Sequence, residues 1–207
     1  QTPLDGVDID VHAQEVEILV ARSGQFGQSG REGGGLGGGE LGEGVEGRMA
    51  EVDDLAALII ETPSDLYVIF RGTEFGSRAS AIRNARRELV AERTYRVHEG
   101  YRHGVDQLSR QIVPFLHDRM HKPVHLAGHS AGGAEAMIFG LRMVCNKLER
   151  REGLTLKSLT TFGAPAAGDA AFAHALKQAQ AWGVQVTRWT STSDGLNHWR
   201  RPASSSR

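Results

Sequence analysis

Cysteine is nearly absent. The 207 residues hold one, Cys145, so no disulfide can form within the chain and stability must come from a packed core. A chain of this length can build that core without disulfide or metal staples, as one domain or one domain with appendages. A charge excess is missing too. Twenty-four Lys and Arg stand against 25 Asp and Glu, for a net charge of −1, which argues against a general nucleic-acid binder. The basic stretches at 78–96 and 142–151 interleave acidic residues and read as solvated helix faces. No apolar run reaches the roughly 18 residues of a membrane-spanning helix. No basic-then-apolar leader opens the chain, which begins at Gln1 rather than Met. The expectation is a soluble chain, secreted or cut from a longer protein, with its compartment unread.

Glycine, by contrast, is plentiful and unevenly placed. Ser23–Gly47 holds 12 of the 26 glycines. Each costs ordering entropy and buries no side chain, so this stretch is predicted to be a flexible loop. A phosphate cradle would need a strand before it and a helix after it, and neither is evident. Ahead of the loop, Gln1–Asp10 reads as extended, and Val11–Arg22 as a short amphipathic helix with Val11, Val16, Leu19 and Val20 apolar. The expected organisation is an N-terminal helix and Gly-rich segment at 1–50, followed by a catalytic domain at 51–207.

Within 51–207, Leu55–Glu61 and Leu66–Arg71 are apolar runs joined by Thr62-Pro63-Ser64-Asp65, a pattern that predicts adjacent antiparallel strands. A helix is expected over Ser80–Ala91, a strand over Thr94–His98, and a long helix over Tyr101–Met120, bent or broken near Pro114. A short strand through Val124–Ala127 precedes a helix over Ala134–Lys147, whose apolar residues, Cys145 among them, recur at helical spacing. Strand Ser158–Gly163, helix Asp169–Trp182 and strand Val184–Ser191 follow. The alternation predicts an α/β fold with a mostly parallel central sheet and helices on both faces. Sites in such folds lie beyond the carboxyl ends of the strands.

One such strand end carries Gly128-His129-Ser130-Ala131-Gly132, a match to G-x-S-x-G with the strand before and helix after that the motif requires. The serine of so tight a turn is forced toward positive φ. Glycines at 128 and 132 then remove Cβ atoms where strand and helix would collide. Ser130 is therefore the candidate nucleophile, placed at a helix N-terminus that favours developing negative charge. A serine nucleophile needs a base, and the base an orienting acid. Asp194, at the end of the last apolar strand, suits the acid; the alternative is an Asp opening a turn before Gly195. His198 is the only histidine after Asp194 and is the candidate base, the alternative being a base beyond Arg207. Oxyanion donors are expected from the backbone N–H of Ala131 and from Thr73, in an Arg71-Gly72-Thr73 turn that could also simply end its strand.

Four blocks then carry a resemblance: Val68-Ile69-Phe70-Arg71-Gly72-Thr73, Val97-His98-Glu99-Gly100-Tyr101, Gly128-His129-Ser130-Ala131-Gly132-Gly133, and Thr161-Phe162-Gly163-Ala164-Pro165 with Gly168-Asp169. Together they resemble the class 3, fungal-type lipases of the α/β-hydrolase fold, over about two thirds of the chain. The resemblance implies Ser130 as nucleophile, Asp194 as acid and Thr73 as an oxyanion-hole residue, with the Phe162–Pro165 block packing near the site. It implies a serine carboxylester hydrolase acting through an acyl-enzyme, with no cofactor and no metal. The partners would be an ester or lipid substrate and, transiently, a lipid surface. The alternatives are a non-catalytic lipase-like binding domain, or phospholipase A1 or acyltransferase chemistry at the same site. A lid is expected after the Arg-Gly-Thr block, but Ser77–Arg96 is rich in arginine and its apolar stripe is largely alanine. Moderately apolar esters are expected rather than strong interfacial activation.

Overall fold

The computed structural model describes residues 44–71, 88–150, 154–191 and 199–200. A seven-stranded sheet forms its frame, in the order β1-β2-β3-β6-β7-β8-β9. β1 (Glu46–Val52), β2 (Leu55–Glu61) and β3 (Leu66–Phe70) form an antiparallel meander. β3, β6 (Pro123–His129), β7 (Thr155–Phe162) and β8 (Gln185–Ser191) then run parallel, and β9 (Trp199–Arg200) folds back antiparallel on β8. β4 (Leu89–Glu92) and β5 (Tyr95–His98) pair apart from the sheet as a hairpin. The helices among the described residues are α1 (Glu99–His117), α2 (Ala131–Arg150) and α3 (Ala170–Ala181). The protein is thus α/β, with parallel strands at the centre of the sheet.

The central strands read as nearly unbroken apolar runs because both of their faces are covered. On one face Val68, Phe70, Leu126 and Leu159 pack with Leu108, Ile112 and Leu116 of α1, Met137, Ile138 and Leu141 of α2, and Phe172 of α3. Burying each of the larger side chains contributes about 1.5–3 kcal/mol. The other face carries a smaller cluster of Leu58, Ile60, Ile69, Ala127 and Phe162, none more than 4% exposed. Cys145 is half-buried against the main core. No helix among the described residues is long and apolar enough to cross a membrane.

Two elements depart from expectation. Glu46 and Gly47, at the end of the predicted glycine-rich loop, already belong to β1; the rest of residues 1–43 lie outside the described residues. Leu89–Ala91, expected to end a helix, lie in β4, while 80–87 lie outside the described residues. The hairpin turns at Arg93, whose φ of +56° supplies the left-handed residue a two-residue turn needs. Leu89 is 41% exposed, so its apolarity did not mark an inward helix face. Arg142 of α2 holds the hairpin in place: Nε and Nη2 both donate to Glu92 at 2.7 Å, and Nη1 donates to Asp106 of α1 at 2.7 Å. This arginine reads in the sequence as part of a solvated basic face. Burial alone would lower its pKa, but hydrogen bonds to Glu92 and Asp106 more than offset that and raise it.

At the edge where the parallel strands begin, polar side chains lock the β2–β3 turn. Asp65 N–H donates to Thr62 Oγ1 at 2.9 Å, and Thr62 N–H to Asp65 O at 3.0 Å. His125 of β6 bridges Asp65 Oδ1, 3.1 Å from its Nε2, and Ser158 Oγ of β7, 2.8 Å from its Nδ1. The Tyr67 ring stacks on it at 4.9 Å. Nearby, Glu61 accepts from Arg119 at 2.6 Å and from Lys122 at 2.7 Å. Burial raises the Glu61 pKa, yet these two cations outweigh burial and hold it below its ordinary 4.5. A carboxylate with a depressed folded pKa contributes stability above its unfolded pKa and loses it as pH falls through the folded one. Glu61→Gln is therefore expected to lower stability by about 1 kcal/mol at neutral pH. The difference should shrink below pH 4.5, read as a converging pair of urea-midpoint-against-pH curves. Parallel curves would show that the carboxylate's charge is not what stabilises this corner.

Candidate active site

β6 ends at His129, α2 begins at Ala131, and Ser130 alone makes the turn between them, at φ +52°. A left-handed conformation costs a residue with a Cβ about 1–2 kcal/mol, and the surroundings over-determine it. Ser130 N–H donates to Phe162 O at 2.9 Å, and Ser130 O accepts from Gly133 N–H at 3.0 Å and Ala134 N–H at 3.3 Å. The serine is half-buried. Ala131, 4% exposed, opens α2, so its N–H has no acceptor within the helix. A developing oxyanion could receive that N–H together with the positive end of the helix.

The glycines around the serine each make room for a different neighbour. A Cβ on Gly128 would strike the Gly132 carbonyl and come within 2.7 Å of Gly133 N, the strand–helix collision expected from the motif. A Cβ on Gly132 would instead strike the end of β3: the Phe70 carbonyl and, at 2.7 Å, the carbonyl of Arg71. Gly133 faces the other way, where a Cβ would lie 2.6 Å from the Ala164 Cβ. The elbow is thus wedged between the ends of β3 and β7.

The four sequence blocks meet here. The first touches the third through Arg71 and Gly132, and the third touches the fourth through the Ser130–Phe162 bond. The fourth reaches the second where His98 N–H donates to Ala167 O at 2.9 Å and Gly168 bridges Val97. His98 itself stacks on Tyr101 at 4.3 Å. His129, within the elbow, is exposed rather than packed. Partial desolvation by its surroundings still holds its pKa below the ordinary histidine value.

Of the other expected site residues, Thr73, Asp194 and His198 lie outside the described residues. The described strands fix where their segments depart. Gly72 and Thr73 follow Arg71, which contacts α2's first turn. Asp194 and His198 lie on the connection between Ser191 and Trp199, which pair across β8 and β9. β3, β6 and β8 run parallel, so the connections after β3 and β8 leave the same end of the sheet as Ser130.

A family model described as Lipase (class 3) matches residues 67–200. The chain belongs to the class 3 lipase family. Its matched region contains the elbow and all four blocks. Solved structures agree in fold. The lipase family chain is similar to a fungal lipase bound to an inhibitor, at 23% identity and a TM-score of 0.60 over 75% of this chain and 61% of that one. It is similar to a lipase from Rhizopus microsporus var. chinensis at 22% identity and a TM-score of 0.57, over 75% and 56%. A triacylglycerol lipase whose catalytic centre is a serine-protease triad matches at 20% identity and 0.54, over 76% and 71%. The chain therefore spans less than two thirds of the length of the first two. No curated protein matches it in sequence.

Proposed function

We propose that this lipase-family domain is a metal-independent serine carboxylester hydrolase. The observation that carries the reading is Ser130 at φ +52°, held between β6 and the N-terminus of α2 beside the Ala131 N–H. In the proposed reaction Ser130 Oγ attacks the ester carbonyl while His198 takes its proton. The N–H groups of Ala131 and Thr73 receive the oxyanion. The tetrahedral intermediate collapses with loss of the alcohol, which takes the proton back from His198, and the acyl group stays on Ser130. A water molecule, deprotonated by the same histidine, then releases the acid. Asp194 orients the imidazole and stabilises its charged form. The serine-protease triad of the similar triacylglycerol lipase supports this assignment of roles. The proposed substrates are lipid or moderately apolar acyl esters, because the Ser77–Arg96 segment is rich in arginine.

A fluorophosphonate probe is expected to label the intact protein and to leave Ser130→Ala unlabelled. Hydrolysis of short and medium p-nitrophenyl esters should vanish in Ser130→Ala and Asp194→Ala. Equal labelling of the parent and Ser130→Ala overturns the reading. Near-normal turnover in His198→Ala moves the base to another histidine.

A further inference from the structure

We infer that Arg188 is a positioning residue that aligns the acid-bearing end of β8 with the nucleophile; the inference rests on the serine-hydrolase reading above. Arg188 lies on β8 opposite Thr161 of β7, which in turn lies opposite Gly128 of β6. It is thus level with the first glycine of the elbow. Its half-buried side chain crosses from β8, and Nη2 donates to the carbonyl of Ala164 at 3.1 Å.

Ala164 belongs to the loop that supports the serine. Two residues earlier, the Phe162 carbonyl accepts the Ser130 N–H. Between them Gly163 turns at φ +55° and donates its N–H to Trp189 O at 2.8 Å. Ala164 Cβ fills the space that Gly133 leaves open. The ends of β7 and β8 are therefore joined from three sides. Trp189 and Phe162 stack on one face of the sheet at 6.4 Å, the Gly163–Trp189 bond lies between the strands, and Arg188 closes the opposite face, since successive strand residues alternate.

The chain leaves β8 after Ser191 and reaches Asp194 within three residues. Nothing else among the described side chains of β8 joins that strand by a hydrogen bond to the loop holding Ser130. A small shift of β8 along β7 would move the acid relative to the nucleophile, and misplacement of about 1 Å can cost 100-fold in rate. Arg188 opposes that shift. Through the acid it also sustains the basicity of the histidine.

The test compares Arg188→Met and Arg188→Lys with the parent, using p-nitrophenyl butyrate and counting active serines by titration with diethyl p-nitrophenyl phosphate. Arg188→Met is expected to lose about 10- to 100-fold in kcat per titrated site, with KM within about twofold. The acid limb of its kcat/KM-against-pH profile should move to lower pH, because a loosened carboxylate supports the imidazolium less well. Arg188→Lys keeps one donor and should recover most of the loss. Loss of stability alone would reduce the titratable fraction and leave kcat per site and the pH profile in place; that result overturns the inference. If the parent shows no Ser130-dependent turnover, the hydrolase reading fails and this inference falls with it. Labelling at Ser130 with an unaltered Arg188→Met profile sinks only the role of Arg188.

Discussion

Gly132→Ala is expected to cost both stability and turnover. The new Cβ would meet the Phe70 carbonyl and lie 2.7 Å from Arg71 C and O. These are main-chain atoms of a strand paired on both sides, to β2 and to β6, so no side-chain rotation relieves the clash. Overpacking at such a site costs about 1–3 kcal/mol, or roughly 2–12 °C in Tm for a chain of this size. The larger effect is on rate. Relief can come only by moving the end of β3 away from α2, and that separates the Arg71-Gly72-Thr73 exit from the Ala131 N–H. Losing alignment of one oxyanion donor costs about 100- to 1,000-fold in kcat. Thermal unfolding and kcat per titrated serine check the two parts separately. A kcat within about twofold of the parent would show that the β3 exit contributes no donor.

Ser130→Gly is expected to raise stability and abolish turnover together. Glycine removes the Cβ penalty of about 1–2 kcal/mol at φ +52°, and returns part of it through its larger unfolded-state entropy. The net gain is about 0.5–1 kcal/mol, or roughly 1–4 °C in Tm. Ser130→Ala keeps the Cβ and the strain, so it gains nothing comparable. Both variants lack the nucleophile and should lose about 10⁵- to 10⁶-fold in kcat. Because both are inactive, their difference in Tm measures the backbone strain less the unfolded-state entropy of glycine. Equal Tm values would mean that the strain at Ser130 is no larger than the entropy cost of glycine, about 0.5–1 kcal/mol. Activity retained by either variant would mean that Ser130 is not the nucleophile.

Much of this arrangement is legible in the amino-acid sequence, for physical reasons that differ between elements. The parallel strands β6 and β7 are buried on both faces and announce themselves as apolar runs, and α2 keeps its helical spacing from Ala134 onward. The elbow is legible because its glycines are forced by backbone contacts. β1 is not, since its Glu46-Gly47-Arg48 start is polar and half-exposed at a sheet edge. β4 is hidden because Leu89-Val90-Ala91-Glu92 fits a helix as well as a strand, and its turn uses Arg93 in place of the usual Gly or Asn. Gly132 is legible as necessary, but its partner is not: the sequence points to the collision of β6 with α2, and the atoms it spares belong to β3. Arg188 leaves no trace in the sequence, where an arginine between a threonine and a tryptophan reads as ordinary strand alternation.

The far edge of the sheet offers a comparison for the elbow. Asp65, His125 and Ser158 are a carboxylate, an imidazole and a hydroxyl in hydrogen-bonded series, the same trio of side chains proposed at the other end. Yet the order around the ring is reversed, with the hydroxyl on Nδ1 and the carboxylate on Nε2. Ser158 is 5% exposed and lies inside β7, paired on one side to His125 and on the other to Gln185. Buried inside the sheet, it is closed to an approaching ester carbonyl. One sheet thus carries the same three functional groups twice, as mortar at one rim and as a candidate reagent at the other. Side-chain chemistry does not distinguish them. The difference lies in where the ladder stops, because only past its last rung does a serine stand beside an amide with nothing yet to hold.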